Sequence, residues 1–190
     1  MIDKKDITGI ILSGGKSKRM GTDKGFLLYG GKYFIQYSIE ALKPLVNETI
    51  IVSNHIDYDV FGLNRVEDTF ENYGPLAGLY SGLQHSKTKY NLVLSCDIPL
   101  IKTNILKKLI KAADNDSDII QIESDGKTMP LIALYKKECA AIFLKLLNHN
   151  ERRLQYAVNQ CKVKTVVLDD AEELFTRNIN TPEELNEITI

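Results

Sequence analysis

Cysteine is scarce in this chain. Cys96, Cys139 and Cys161 are the only ones, widely spaced and without a Cys-x-x-Cys pair, which argues against a structural zinc site or a dithiol redox motif and reads as reduced core thiols. An excess of one charge is also missing: 24 basic side chains stand against 25 acidic ones, a formal net charge of -1. No general polyanion-binding surface is expected, and nucleic acid is excluded as a partner on that ground. Long apolar runs are lacking too, since no stretch approaches the roughly 20 residues that span a bilayer. The run Ile7 to Leu12, after the charged Met1 to Asp6, is too short for the apolar region of a signal peptide. A soluble cytoplasmic protein is the expectation, with no membrane partner. Repeats, low-complexity tracts and interdomain linkers are absent as well, and 190 residues suit one domain spanning 1–190.

The chain does contain regular alternation. Ile7 to Leu12 is mostly β-branched or large and apolar, the pattern of a strand buried on both faces of a helix-covered parallel sheet. Helical spacing over Tyr33 to Leu42, ending before Pro44, and a second β-branched run at Glu48 to Ser53 complete a β-α-β unit. The alternation continues with strands at Leu63 to Glu67 and Asn91 to Ser95 and helices at Leu76 to His85 and Thr103 to Ala113. Asp118 to Glu123 and Met129 to Tyr135 flank Ser124-Asp125-Gly126-Lys127, where Asp-Gly predicts a hairpin and therefore an antiparallel pair in the sheet. Helices at Lys137 to Leu147 and Arg152 to Gln160, a strand at Val163 to Leu168, and a last helix with Thr181 as cap and Pro182 at its first position follow. The class is α/β.

The loop after the first strand carries the chemistry. Gly15-Lys16-Ser17 looks like the end of a P-loop, but the required first glycine would fall at Ile10, inside the strand, so the backbone has no room to wrap a phosphate. The dinucleotide fingerprint fails in the same way, because the glycines are Gly14, Gly15 and Gly21. A strand ending in paired glycines remains, followed by Lys16, Lys18, Arg19, Asp23 and Lys24. Glycine lets backbone N–H groups approach an anion, and several cations in one loop can surround a polyphosphate. A solvated basic turn is the plainer alternative on charge alone.

The run Leu12-Ser13-Gly14-Gly15-Lys16-Ser17-Lys18-Arg19-Met20-Gly21-Thr22-Asp23-Lys24 resembles the L-x-G-G-x-S-x-R-M-G-x-D-K signature of nucleotidyltransferases, specifically the molybdenum cofactor guanylyltransferases (MobA). Four further stretches resemble that family in the same order: Glu67-Asp68, Gly74-Pro75-Leu76-Ala77-Gly78, Ser95-Cys96-Asp97-Ile98-Pro99 and Asn178-Ile179-Asn180-Thr181-Pro182. The resemblance implies a three-layer α/β/α, Rossmann-like nucleotidyltransferase fold. Its N-terminal half would bind nucleotide and its C-terminal half would face molybdopterin. It also implies GTP and Mo-molybdopterin as substrates, Mg²⁺ as cofactor, and molybdoenzyme acceptors or a GTP-binding accessory protein as partners. Leu12, Ser13, Gly14, Gly15 and Asp68 match positions that contact the nucleotide. Asn178 and Asn180 match a motif on the pterin side, where capping of the last helix is the alternative. Gly74, Pro75 and Gly78 either shape a surface near the nucleoside or form a tight helix entry. Val52 stands where some relatives have an asparagine, with Asn54 two residues on.

Asp97 follows a buried strand and should project from the C-terminal edge of the sheet, where open α/β folds bind ligands. One fixed carboxylate suffices for Mg²⁺ when phosphates and water complete its shell; a turn aspartate ahead of Pro99 is the bland alternative. Arg19 and Lys24 are expected to neutralise triphosphate and pyrophosphate charge. His55, His85 and His149 lie outside the motifs, in keeping with a nucleophile that needs no strong base, because a phosphate monoester with a second pKa of about 6 is largely dianionic at neutral pH. Tyr29, Tyr33 and Phe34 are expected to pack, and Lys107, Lys108 and Lys111 to be solvated. The competing activities are cytidylyl transfer to the same pterin and a non-catalytic cofactor carrier.

Overall fold

A computed structural model describes residues 2–14, 23–70 and 72–188. The elements in chain order are β1 (Ile7–Leu12), a small hairpin of β2 (Leu28–Tyr29) and β3 (Lys32–Tyr33), α1 (Phe34–Leu42), β4 (Glu48–Val52), β5 (Asn64–Val66), α2 (Pro75–His85), β6 (Tyr90–Ser95), α3 (Thr103–Ala112), β7 (Ile119–Ser124), β8 (Lys127–Lys136), α4 (Cys139–Asn148), α5 (Leu154–Val158), β9 (Val163–Val167), α6 (Asp170–Glu173) and α7 (Pro182–Ile188). Short 3-10 turns include Lys24–Phe26 and Ile56–Phe61. Among the described residues no helix is long and apolar enough to cross a membrane.

Seven strands form the main sheet in the order β5-β4-β1-β6-β8-β7-β9. The neighbours β5/β4, β4/β1, β1/β6 and β7/β9 pair in parallel, while β8 is antiparallel to both β6 and β7. Strand residues alternate between faces, and the two cores follow that period. Ile7 and Ile11 of β1 pack with Ile35 and Leu42 of α1 and Leu106 and Leu109 of α3. Ile10, between them, joins Leu79 and Leu83 of α2, Phe143 of α4 and Val158 of α5 on the other face. Both faces are therefore covered, giving three α/β/α layers, and β1 is mostly apolar, its one hydroxyl, Thr8, accepting from Thr88 Oγ1 at 2.8 Å.

Asp125 and Gly126 turn the β7–β8 hairpin with φ of 50° and 65°, the positive pair that a two-residue I′ turn requires. Beyond the hairpin end the register shifts, from Ile122 opposite Met129 to Gln121 opposite Ala133. Pro130 lies inside that irregularity, where its missing N–H breaks no ladder bond. The β2–β3 hairpin is an addition to the sequence-based expectation: it turns through Gly30 and Gly31, with φ of 53° and 80°, and strands of two residues are too short to show a period.

Candidate active site

The C-terminal ends of β1, β4 and β6 open into a cavity of about 630 Å³. Leu12, Ser13 and Gly14 form its floor at the end of β1. Ser13 N–H donates to the Val52 carbonyl at 3.0 Å and the Leu12 carbonyl accepts from Cys96 N–H at 3.1 Å, which locks the loop between the two flanking strands. Gly14 has a φ of 92°, and a Cβ there would lie 3.0 Å from Ser53 Oγ and 3.3 Å from the His55 ring. Its backbone can thus come close to β4's end only without a side chain. Gly15 and Arg19, with Lys16 and Lys18, lie outside the described residues.

Asp97 leaves the end of β6 and lines the same cavity. One carboxylate oxygen accepts from the Ser95 hydroxyl, and the other lies 3.0 Å from Lys24 Nζ. The Lys24 ammonium also donates to Asn180 Oδ1 at 2.5 Å. A cation, an anion and an amide from three distant parts of the chain therefore meet at one point. Ile179 N–H donates to the Asp97 carbonyl at 2.9 Å, so the backbone of the C-terminal motif is stitched directly to the loop that carries the carboxylate. Lys24 and Asp97 are 22% and 14% exposed, shielded enough to hold a geometry yet open to a ligand.

The helix cap near this junction is made by other groups. Glu184 N–H donates to Thr181 Oγ1 at 3.2 Å, and Glu184 Oε2 accepts from the N–H groups of Asn180 and Thr181, a reciprocal capping box. The Asn180 side chain is left to Lys24. Asn178 is exposed and outside the cavity lining.

Asp68 lines the opposite wall with Gly74, Pro75 and Gly78. Its backbone N–H donates to Asn54 Oδ1 at 2.7 Å and its carboxylate accepts from Phe70 N–H at 3.1 Å. Gly74, with a φ of 74°, enters α2, and a Cβ on Gly78 would lie 3.6 Å from Leu12 and 3.9 Å from Asp68. These glycines are both helix entry and cavity wall. Val52 is buried and contributes apolar wall, whereas Ser53, Asn54 and His55 after it bring polar groups to the rim.

Sequence reasoning gave no site role to Asp23, Ser53, His55, Asn72, Cys96 and Leu131, which also line the cavity. Ser53, His55 and Cys96 follow the ends of parallel strands, the one positional rule that would have picked them out. Leu131 sits within the β7–β8 register shift, where an irregular ladder re-aims a side chain. Burial pushes the Cys96 thiol up to about 12, with the neighbouring Asp97 charge adding to the effect, so it lines the cavity as a neutral group.

Residues 9–163 match the MobA-like NTP transferase domain. The chain belongs to that family. The relatives it resembles include a "probable molybdenum cofactor guanylyltransferase" of Flavobacterium johnsoniae, 34% identical, with 97% of each chain covered. A molybdenum cofactor guanylyltransferase of Vibrio parahaemolyticus is 31% identical, covering 97% of this chain and 96% of its own. Among solved structures, the molybdopterin-guanine dinucleotide biosynthesis protein A of Archaeoglobus fulgidus superposes with a TM-score of 0.80 at 22% identity over 96% of both chains, a likeness of fold. In this MobA-like chain Lys24 and Asp97 line the cavity beyond the C-terminal ends of the parallel strands, the expected ligand position for an open α/β domain, and Asn180 reaches it through Lys24.

Proposed function

We propose that this protein transfers GMP from GTP to the terminal phosphate of Mo-molybdopterin, forming the guanine dinucleotide cofactor and pyrophosphate within one domain. The observation that carries the reading is the pairing of Lys24 with Asp97 in the cavity lining, with Asn180 behind Lys24 as its second partner, in a chain whose relatives bear the guanylyltransferase name. An oxygen of the pterin's terminal phosphate forms a bond to the α-phosphorus of GTP, and the bond from that phosphorus to the bridging oxygen of the β-phosphate breaks. The attacking monoester is already largely dianionic at neutral pH, since its second pKa is about 6, so the site needs no strong base. Positioning and charge neutralisation are what it must supply.

The donor set suits Mg²⁺. Among the described residues no group of three His, Cys, Asp or Glu side chains could cage a metal, and a hard cation that takes one or two carboxylates together with substrate phosphates needs no such cage. Asp97 would hold it, and the ion would supply positive charge to offset that of the phosphates. Lys24, beside Asp97, would turn its ammonium onto triphosphate oxygens, and Arg19 would add a bidentate guanidinium from the preceding loop. Leu12, Ser13, Gly14 and Gly15 would offer backbone atoms to the nucleotide, with Asp68 on the nucleoside side. Asn180, and Asn178 beside it, would face the pterin. The product would then pass to molybdoenzyme acceptors, with or without a GTP-binding accessory protein.

Turnover of Mo-molybdopterin with each of the four nucleoside triphosphates in parallel, followed as pyrophosphate release, tests the reading. GTP is expected to be strongly preferred and to require Mg²⁺. A CTP preference would make the protein a cytidylyltransferase, and tight pterin binding without any nucleotide-dependent product would make it a carrier.

A further inference from the structure

Tyr58 belongs to the 3-10 turn Ile56–Phe61 between β4 and β5. Its neighbours Ile56 and Val60 are exposed, yet Tyr58 itself is fully buried. Phe26 and Phe61 enclose it, with ring centroids 4.7 and 6.2 Å away. Its hydroxyl donates to Asp23 Oδ1 at 2.5 Å. The same oxygen accepts from Gly25 N–H at 3.0 Å, which makes Asp23 the cap of the turn Lys24–Phe26. Asp23 Oδ2 is buried without a hydrogen-bond partner among the described residues.

Gly25 completes the arrangement. A Cβ at that position would fall 2.1 Å from the Tyr58 hydroxyl oxygen, so phenol and backbone fit against one another only while residue 25 has no side chain. Lys24 projects from this turn towards Asp97 and Asn180. A lysine stem with several rotatable bonds finds one place most often when its own backbone is fixed. Burial raises the phenol far above its ordinary range, and the hydroxyl is a lasting donor.

We infer that Tyr58, acting through Asp23, is a positioning residue that holds the Lys24 turn and so sets the aim of the Lys24 ammonium. The inference deepens the transfer reaction proposed above and rests on it for its kinetic consequence. Without the hydroxyl, Asp23 Oδ1 keeps only the Gly25 N–H, and a carboxylate in a desolvated place reorients to recover the lost partner. Lys24 then loses its fixed origin, while the ring at position 58 keeps its place in the core.

The test is a double-mutant cycle between Tyr58→Phe and Lys24→Met. Tyr58→Phe should lower kcat roughly tenfold with a smaller change in KM for GTP and little change in Tm. In the Lys24→Met background the same substitution should have almost no further effect. Gly25→Ala, which displaces the phenol from the other side, should reproduce the kcat loss. Equal effects of Tyr58→Phe in both backgrounds, or unchanged kcat in the single variant, would overturn the inference. A second readout needs no turnover: the rate at which an amine-reactive ester labels Lys24, followed by peptide mass spectrometry, should rise severalfold in Tyr58→Phe. A wild-type protein inactive with every triphosphate would sink the proposed reaction alone, and the labelling rate would still decide the positioning, an unchanged rate overturning it.

Discussion

Lys24 Nζ lies 3.0 Å from the carboxylate of Asp97, although the two residues are 73 positions apart in the chain. The pair joins the loop after β1 to the loop after β6, and Asn180 ties both to the start of α7. Each side chain satisfies the other; in the proposed reaction a triphosphate would take up the Lys24 ammonium and Mg²⁺ the Asp97 carboxylate. The contact holds the two loops together.

Asp97→Asn separates charge from shape. The amide has nearly the volume of the carboxylate and can still accept from Ser95, so the fold should survive with little change in Tm. Loss of the anion should lower kcat by roughly a hundredfold or more, the scale seen when a fixed electrostatic group is removed from a reacting centre. A Mg²⁺ titration of turnover should show the midpoint moving to higher concentration. Near-parent activity at parent Mg²⁺ concentrations would remove Asp97 from the metal role.

Gly82 supplies a purely structural prediction. It lies in the middle of α2, where alanine would gain about 1 kcal/mol in helix propensity. A Cβ there, however, would sit 2.6 Å from Ile10 Cγ2 and 3.1 Å from Val52 Cγ2, both on buried strands. Overpacking of a filled core costs about 1–3 kcal/mol, so steric cost should exceed the propensity gain. Gly82→Ala should be destabilised in a denaturant titration and should lose nucleotide affinity as well, because α2 also presents Gly78 to the cavity. An unchanged midpoint would show that the helix can move away from the sheet freely.

The parts legible in the sequence are those in which local pattern and tertiary role coincide. Ile7 to Leu12 is mostly apolar, Thr8 apart, because both sheet faces are covered, and Asp125-Gly126 marks its hairpin because that geometry uses two positive φ values. Asp97 was readable from its place after a buried run. Tyr58 was not, since its burial depends on a turn folding over Phe26 from a different part of the chain. Leu131 was hidden by a register shift that a period-two count cannot anticipate. That the Asn180 side chain goes to Lys24 while Thr181 and Glu184 make the helix cap is a division of labour visible only once the side chains have directions.

The cysteines should respond to alkali in a definite order. Burial holds the Cys96 thiol at about 12, whereas a thiol in the unfolded chain ionises near 8.5. Above roughly that pH the unfolded state releases a proton that the folded state retains, so the folded state binds more protons and stability falls as pH rises towards 12. Cys161 is only partly buried, whereas Cys139 is buried with its thiol donating to the Asp118 carbonyl; the interaction between the two thiols lowers Cys161 and raises Cys139. At pH 8 a thiol reagent should therefore modify Cys161 first and leave Cys96 and Cys139 to react only on unfolding. Between pH 8 and pH 10 the parent protein should lose more thermal stability than a Cys96→Ala variant does, when each is compared with itself. Equal losses in the two proteins, or early labelling of Cys96, would contradict the buried neutral thiol at the cavity wall.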